Sequence, residues 1–338
     1  MKAITRFTNS LMEKYLPDPY IFVAILTVIV VALGVSFTDS SLLDMTVYWG
    51  EGFWGLLAFT MQMVIVLAAG HVLANSPLFK KGLTSIASRI KTPFMAIVVV
   101  TFVSILACWV NWGFGLVIGA IFAKEIARHV KKVDYRLLIA SAYSGFVIWH
   151  GGLAGSIPLS IATDGHPFAG IMGVVPTSET IFSTYNLFIV LVILFTLPIF
   201  NTFLMPKEED IVTVDPKLLL DEKAELPNPE KNFASISERS YIITGLVGLI
   251  GVTYITYHFV TYGFKLDLNI INTIFVILGI ILHGTPQRFL AAVQSAIKTT
   301  GGIVFQFPFY AAIMGMMTFS GLAEVMSDWF ITISNEHT

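Results

Sequence analysis

Two uncharged apolar stretches, each broken near its centre, constrain this chain more than any other feature. Residues 92–123 contain no charged side chain, and the segment WVNWGFG (residues 109–115) stands in their middle. Residues 137–163 are interrupted in the same way by WHGGLAGSIP (residues 149–158). Lipid offers backbone groups no hydrogen-bond partner, so broken backbone at membrane depth survives only where it is buried in protein or lines a cavity. A pair of such breaks is typical of a transporter's substrate site.

The composition predicts a polytopic, all-α membrane protein. The chain is 55% hydrophobic and 12% charged, whereas a soluble domain has about 25% charged residues. The formal net charge of -2 argues against nucleic acid as a partner. The single cysteine, Cys108, excludes an intrachain disulfide framework and has no metal-ligand spacing around it. No nucleotide loop, metal cluster or nucleophile–base pair is present, so we expect neither enzyme activity nor a cofactor.

Several apolar runs have the length of about 20 residues that a bilayer requires. The predicted spans are 20–37, 52–74, 181–205, 241–262, 268–283 and 300–322. We interpret the first run as a membrane helix and not as a signal peptide, because further spans follow it. Residues 94–126 are too long for one span and form either a re-entrant hairpin or two short spans. Residues 137–163 form a span broken at its middle.

The distribution of Lys and Arg predicts the orientation in the membrane. Basic residues cluster at the N-terminus, in the loop around residues 80–91 and in residues 124–136, which we therefore place in the cytoplasm. The loops 38–51 and 164–180 contain no Lys or Arg and should face outward. The stretch 94–126 then starts and ends inside, which favours the hairpin. Its second arm, residues 114–124, would be about 16 Å long and reach roughly the middle of the bilayer.

The two halves of the chain share one layout. Residues 20–74 and 270–323 each contain a span, an amphipathic stretch and a span that begins with glycine, in opposite predicted orientations. This pattern indicates an inverted repeat. We assign residues 1–205 to the first repeat, 206–239 to a cytoplasmic linker and 240–338 to an incomplete second repeat. The second copy lacks a hairpin and a broken helix, so we expect a truncated chain.

The two breaks predict an anion site. Helices should begin near Gly113 and near Ser156, and a helix N-terminus exposes free N–H groups and partial positive charge. Neither stretch contains Lys or Arg, so a small monovalent anion fits better than a di- or tricarboxylate. Alternatively, the glycines only permit close helix packing. The candidate substrate-binding residues are Asn111, Trp112, Gly113, Gly115, Trp149, His150, Gly151, Gly152, Gly155, Ser156 and Gln306.

His150 is the histidine that we place deepest in the membrane, about 20 Å along its helix from Arg136. An ionisable group at that depth indicates function, here as acceptor of a coupling proton or as donor to a carboxylate. Alternatively, it is a neutral histidine bonded to a nearby carbonyl. Gln306 and Pro308 interrupt another span, where they either line the site or kink a scaffold helix. His71, His258 and His283 should lie near span ends.

Five motifs together resemble one known family. They are LPDP (16–19), WGEGFW (49–54), NWGFG (111–115), GGLAGS (151–156) and QFPFY (306–310). They resemble the bacterial short-chain fatty acid transporters, the permeases associated with acetoacetate and butyrate breakdown, which are grouped with the ion transporter superfamily. The resemblance extends over the whole chain, and that family would continue past Thr338 into another hairpin.

The resemblance implies a secondary carrier with inverted repeats in the bacterial inner membrane. The expected substrates are short-chain monocarboxylates such as acetoacetate or butyrate, moved by alternating access. The expected coupling ion is H⁺ or Na⁺, the N-terminus is expected in the cytoplasm, and a homo-oligomer is compatible with this interpretation. Two alternatives are a dicarboxylate or other organic-anion symporter and a non-transporting remnant that lacks its second half.

Overall fold

The computed structural model describes residues 8, 11–12, 14–166, 168–219 and 232–334. Within these ranges every regular element is a helix, which confirms the all-α class. The chain divides into two compact units, residues 1–64 with 300–338 and residues 65–299. The centre of the predicted linker, including Pro227 and Pro229, lies outside the described ranges. The predicted repeat and linker boundaries stay predictions.

The helices are as follows. They are α1 Pro19–Phe37, α2 Leu42–Gly52, α3 Leu57–Ala74, α4 Pro77–Ala87, α5 Pro93–Val110, α6 Trp112–His129, α7 Tyr135–Ser144, α8 Ser156–Ile161, α9 Ala169–Met172, α10 Thr184–Thr202, α11 Phe233–Glu238, α12 Tyr241–Tyr262, α13 Leu268–His283, α14 Pro286–Ile297, α15 Gly301–Phe319 and α16 Leu322–Ile333. There are also three short 3-10 helices, Gly145–Gly151, Glu208–Asp210 and Pro216–Leu219.

Seven helical segments of the described ranges are long and apolar enough to cross a membrane. They are Pro19–Phe37, Leu57–Ala74, Pro93–Val110, Tyr135–Ile161, Thr184–Thr202, Tyr241–Tyr262 and Gly301–Phe319. The predicted span 52–74 starts only at Leu57, because α2 ends at Gly52 and a turn follows. The predicted span 268–283 is a helix of 16 residues and is shorter than the seven.

The first unit is built around a contact between two glycines. A Cβ on Gly52 of α2 would lie 2.8 Å from the Cα of Gly315 on α15, so the two backbones touch. Close approach of this kind is a common way to pack membrane helices, which gain little from hydrophobic exclusion in lipid. The core of this unit contains Val23, Val30, Met45, Ile313, Met316 and Leu322.

In the second unit, α5 and α6 form the helical hairpin that the sequence predicted. Thr92 caps α5 by accepting the Met95 N–H at 3.3 Å. A Cβ on Gly115 would lie 2.4 Å from the Cys108 nitrogen, and one on Gly119 would lie 3.0 Å from Ser104 Oγ. These pairings run in opposite directions along the chain, so α6 folds back against α5 from a tip at Asn111.

The predicted length of the second hairpin arm is wrong. α6 does not end near Lys124 but continues to His129, because residues 120–129 contain neither glycine nor proline. Its 18 residues are about 27 Å long at 1.5 Å per residue. The re-entrant form of the hairpin stays a prediction.

The second predicted break is confirmed. α7 changes at Gly145 into a 3-10 helix that ends at Gly151, and α8 begins at Ser156 after four non-helical residues. The glycines at 151, 152 and 155 lower the helix propensity of this segment. The α-helix already ends at Ser144, so the break begins before the first of these three glycines.

The two sets of helices in the predicted repeat have similar lengths. α1, α2 and α3 contain 19, 11 and 18 residues, and α13, α14 and α15 contain 16, 12 and 19. The order of helices therefore agrees with the predicted layout. The inversion of the second set across the membrane stays a prediction.

Candidate functional site

The tip of the hairpin is organised by Asn111, which is fully buried. Its backbone is extended, with φ -160° and ψ 126°, and this conformation separates α5 from α6. Its Oδ1 accepts the Phe114 N–H at 2.9 Å, and its Nδ2 donates to the Val66 carbonyl at 3.4 Å. Asn111 is therefore the N-cap of α6, and both polar atoms of its side chain are engaged inside the protein.

The tip packs directly on the backbone of α3. A Cβ on Gly70 would lie 2.4 Å from the Phe114 nitrogen and 2.5 Å from Asn111 Oδ1. A Cβ on Gly113 would lie 2.9 Å from the Cα of Leu67. Both glycines are thus required for the backbones to approach, which supports the packing interpretation for Gly113.

The two breaks meet through the backbone. Leu153, in the second break, donates its N–H to the carbonyl of Trp109 at 2.6 Å. A Cβ on the neighbouring Gly152 would lie only 2.5 Å from the same carbonyl oxygen. The structure therefore joins the two segments that the sequence singled out independently.

Asn186 on α10 is a residue of this site that the sequence analysis missed. Its Nδ2 donates to the Gly151 carbonyl at 3.1 Å and to the Ile181 carbonyl at 2.7 Å. Gly151 is needed here, since a Cβ on it would lie 2.8 Å from Asn186 Oδ1. The Gly151 carbonyl lies in the broken part of the helix and is hydrogen-bonded by this side chain. Backbone polar groups at membrane depth require such partners. An asparagine in an apolar helix was the available signal.

An aromatic cluster surrounds the junction. The ring centroids of Trp112 and Trp149 are 5.5 Å apart, and Trp149 stacks on Phe146 at 4.8 Å. Trp149 also stacks on His150 at 4.3 Å. Tryptophan side chains from both breaks are therefore in contact.

Three indole N–H groups of this region are buried without a hydrogen-bond partner in the described part of the chain. They belong to Trp109, Trp112 and Trp149. Buried donors of native proteins are nearly always paired, and each exception needs an explanation such as an unseen water or ion. Unpaired N–H groups beside a break between helices are donors available to an anion.

The structure gives four other predicted residues different surroundings. His150 is exposed on the protein surface, although its ring touches Trp149. Ser156 is buried at the start of α8, but α8 has only six residues and so adds little helix dipole. Gly155 approaches the His150 carbonyl, with its Cβ position 2.7 Å away. Gln306 is half-buried on α15 and belongs to the first unit.

The other histidines of the apolar segments make contacts within the second unit. His283 donates from Nε2 to the Val72 carbonyl at 2.9 Å, and His258 donates to the Lys265 carbonyl at 2.9 Å. His71 Nε2 lies 3.4 Å from Ser295 Oγ. No cluster of three or more His, Cys, Asp or Glu in the described ranges could hold a metal ion.

Comparison with known proteins decides the family. The model of the short chain fatty acid transporter family matches residues 1–338. The chain belongs to the short-chain fatty acid transporter family. This confirms the resemblance drawn from the five motifs, and it confirms that the chain is a transporter of a multi-pass type and not an enzyme.

Two relatives of this family member carry the provisional name of short-chain fatty acid transporter. One, from Escherichia coli (strain K12), is 42% identical over 338 residues, which are 99% of this chain and 77% of the relative. The other, from Haemophilus influenzae, is 42% identical over 345 residues, with the same shares. No solved structure matches the chain. The role of each candidate residue in this transporter therefore stays a prediction.

Proposed function

We propose that this transporter carries short-chain monocarboxylates, such as butyrate and acetoacetate, across the bacterial inner membrane. The observation that carries the proposal is the junction of the two breaks, where Leu153 bonds to the Trp109 carbonyl beside unpartnered indole N–H groups of the described region. Family membership supports the substrate class.

The chemistry of the junction favours a small ligand with one negative charge and an apolar body. Residues 92–123 and 137–163 contain no Lys or Arg, so indole and backbone N–H groups would hold the carboxylate there. Neutral donors stabilise one charge more readily than two, because each added charge that leaves water carries its own desolvation cost. The rings of Phe146, Trp112 and Trp149 offer apolar surface to a short alkyl chain.

The proposed mechanism is alternating access coupled to H⁺ or Na⁺, with the N-terminus in the cytoplasm. Interrupted helices are the elements at which secondary transporters bind substrate and coupling ion. Exposed His150 is the proposed proton acceptor, and carbonyls at the breaks are the proposed alternative for Na⁺.

Uptake by the purified protein in proteoliposomes tests this function. Labelled butyrate and acetoacetate should accumulate under an imposed pH or Na⁺ gradient, whereas succinate should not, and empty liposomes are the control. Preferential accumulation of succinate would identify the dicarboxylate alternative. Absence of transport for all three acids under both gradients would contradict the proposal.

A further inference from the structure

A cavity of the second unit lies next to the hairpin tip and was not predicted from the sequence. Its volume is about 920 Å³, and residues of α3, α4, α6, α14 and the end of α13 line it. This volume is at the upper end of the range of about 300–1,000 Å³ that is usual for ligand pockets. None of the breaks' glycines lines it, and Trp112 is the one residue that it shares with the aromatic cluster at the junction.

One face of α6 forms the long wall of this cavity. The residues on that face are Trp112, Leu116, Val117, Ala120, Ile121 and Lys124. Steps of three and four residues along this set place them on one side of the helix. From Trp112 to Lys124 this wall extends about 18 Å at 1.5 Å per residue. The tip of the hairpin is at one end and a lysine is at the other.

The charged side chains that line the cavity are all cationic. Three cationic side chains line it, Lys80 of α4, Lys124 of α6 and Arg288 of α14, and its lining residues include no Asp or Glu. Lys80 and Lys124 are half-buried, and Arg288 is exposed. The imidazoles of His71 and His283 line the same space. Cations gathered in a cleft with low-dielectric walls raise the local concentration of anions.

The end of the cavity next to the hairpin tip contains a buried donor. Trp112 lines the cavity, its side chain is only 9% exposed, and its indole N–H has no partner in the described part of the chain. Between the cations and Trp112 the lining is mostly aliphatic, with Leu67, Leu116 and Ala292. The cavity thus combines fixed positive charge, an apolar wall and an unpartnered donor, which are the features of a site for an amphiphilic anion.

We propose that this cavity is a second binding site for short-chain carboxylates, a basic vestibule on the predicted cytoplasmic side of the hairpin tip. The carboxylate binds among Lys80, Lys124 and Arg288, and the alkyl chain lies along the apolar face of α6. Trp112 belongs to both this site and the junction, so it connects the vestibule to the breaks. The ligand class rests on the proposed function; the location rests on the cavity itself.

Binding of labelled butyrate to the purified transporter tests the cations. Lys80→Gln and Lys124→Gln should each weaken binding roughly ten- to hundredfold, as expected for the loss of a charge-assisted hydrogen bond. Lys81→Gln is the matched control, since Lys81 is the exposed neighbour on the same helix and does not line the cavity. Butyramide, which has the same shape and no charge, should not compete. Wild-type affinity in both Lys80→Gln and Lys124→Gln would overturn the vestibule.

A labelling experiment tests the location without removing a cation. Ala120→Cys places a thiol on the exposed, cavity-facing side of α6, whereas the native Cys108 is buried. A thiol reagent should modify the introduced thiol quickly, and butyrate should slow the reaction while butyramide should not. Inorganic phosphate is the comparison anion. Protection by phosphate and not by butyrate would overturn the proposal in favour of a phosphate site.

The two proposals fail in different ways. If the wild-type protein transports butyrate but neither the lysine variants nor the thiol labelling of Ala120→Cys responds to it, the vestibule is wrong and the proposed function stands. If the wild-type protein neither binds nor transports any short-chain acid, both proposals are wrong. Trp112→Phe, which keeps an aromatic ring and removes the N–H, should weaken butyrate binding, while Trp54→Phe at an exposed tryptophan should not.

Discussion

The backbone N–H of Leu153 donates to the carbonyl of Trp109 at 2.6 Å, and this bond joins the hairpin tip to the break between α7 and α8. Gly152 makes the contact possible, because a Cβ on it would lie 2.5 Å from the Trp109 oxygen and 2.9 Å from the Trp109 Cα. Both neighbours are backbone atoms, which cannot rotate away. The two segments are therefore held in direct backbone contact.

We predict that Gly152→Ala separates the breaks. Gly152 has φ -101° and ψ 170°, which alanine adopts without strain, so the effect is steric. Overpacking of this kind costs about 1–3 kcal/mol. We expect a lower apparent melting temperature in detergent and loss of butyrate uptake. Gly170→Ala is the control, since a Cβ there meets no atom within 4 Å. Normal melting and uptake in Gly152→Ala would show that the breaks do not depend on this contact.

The second prediction separates a structural from a ligand-binding role for Asn111. Asn111→Ala removes the N-cap of α6, which costs about 0.5–2 kcal/mol, and it leaves the Val66 carbonyl without this donor. Asn111→Ser retains a capping oxygen and should recover part of the thermal stability. We expect butyrate affinity to recover together with stability in Asn111→Ser. Recovered stability with affinity still lost would instead assign Asn111 to the substrate.

The third prediction concerns the attachment of the linker to α7. Asp134 is buried; it accepts the Leu137 and Val212 N–H groups at 2.9 Å each, and Arg136 Nη2 at 3.0 Å. Burial by itself would raise the pKa of the Asp134 carboxyl. The hydrogen bonds from Arg136, Val212 and Leu137 outweigh that effect and hold the pKa below its ordinary value of 3.8.

The stabilisation from Asp134 is therefore fully present above the unfolded-state pKa of about 3.9 and is lost as the pH falls through the lower folded-state pKa. Asp134→Asn should release the segment around Val212 already at neutral pH. Faster amide exchange at Val212 and faster limited proteolysis of this segment would be the readouts. Asp215→Asn, at an exposed turn, is the control. Equal exchange in wild type and Asp134→Asn at neutral pH would refute the attachment.

The fourth prediction tests proton coupling through His150. His150→Gln keeps a hydrogen-bonding side chain and removes titration, so uptake driven by a pH gradient should vanish. Exchange of labelled for unlabelled butyrate should continue, because exchange needs no net proton movement. His129→Gln, at an exposed histidine at the end of α6, is the matched control. Normal pH-driven uptake in His150→Gln would favour Na⁺ at the carbonyls of the breaks.

Much of the fold could be predicted because its signals are local. The absence of charge in residues 92–123 predicted membrane helices, and the asparagine and glycines in the middle predicted the hairpin tip that Asn111 forms. The length of the second arm could not be predicted in the same way. It depends on where α6 ends, and the sequence around Lys124 contains no helix-breaking residue.

The sequence by itself determined that this chain is an all-α membrane transporter with two broken helices, since hydropathy, glycine and proline act over a few residues. Only the tertiary structure decided which groups meet. Leu153 donates a hydrogen bond to the carbonyl of Trp109, and Asn186 donates one to the carbonyl of Gly151. Three cationic side chains line one cavity, those of Lys80, Lys124 and Arg288. These partners are far apart in the chain and share no local pattern, so their meeting depends on how the helices pack.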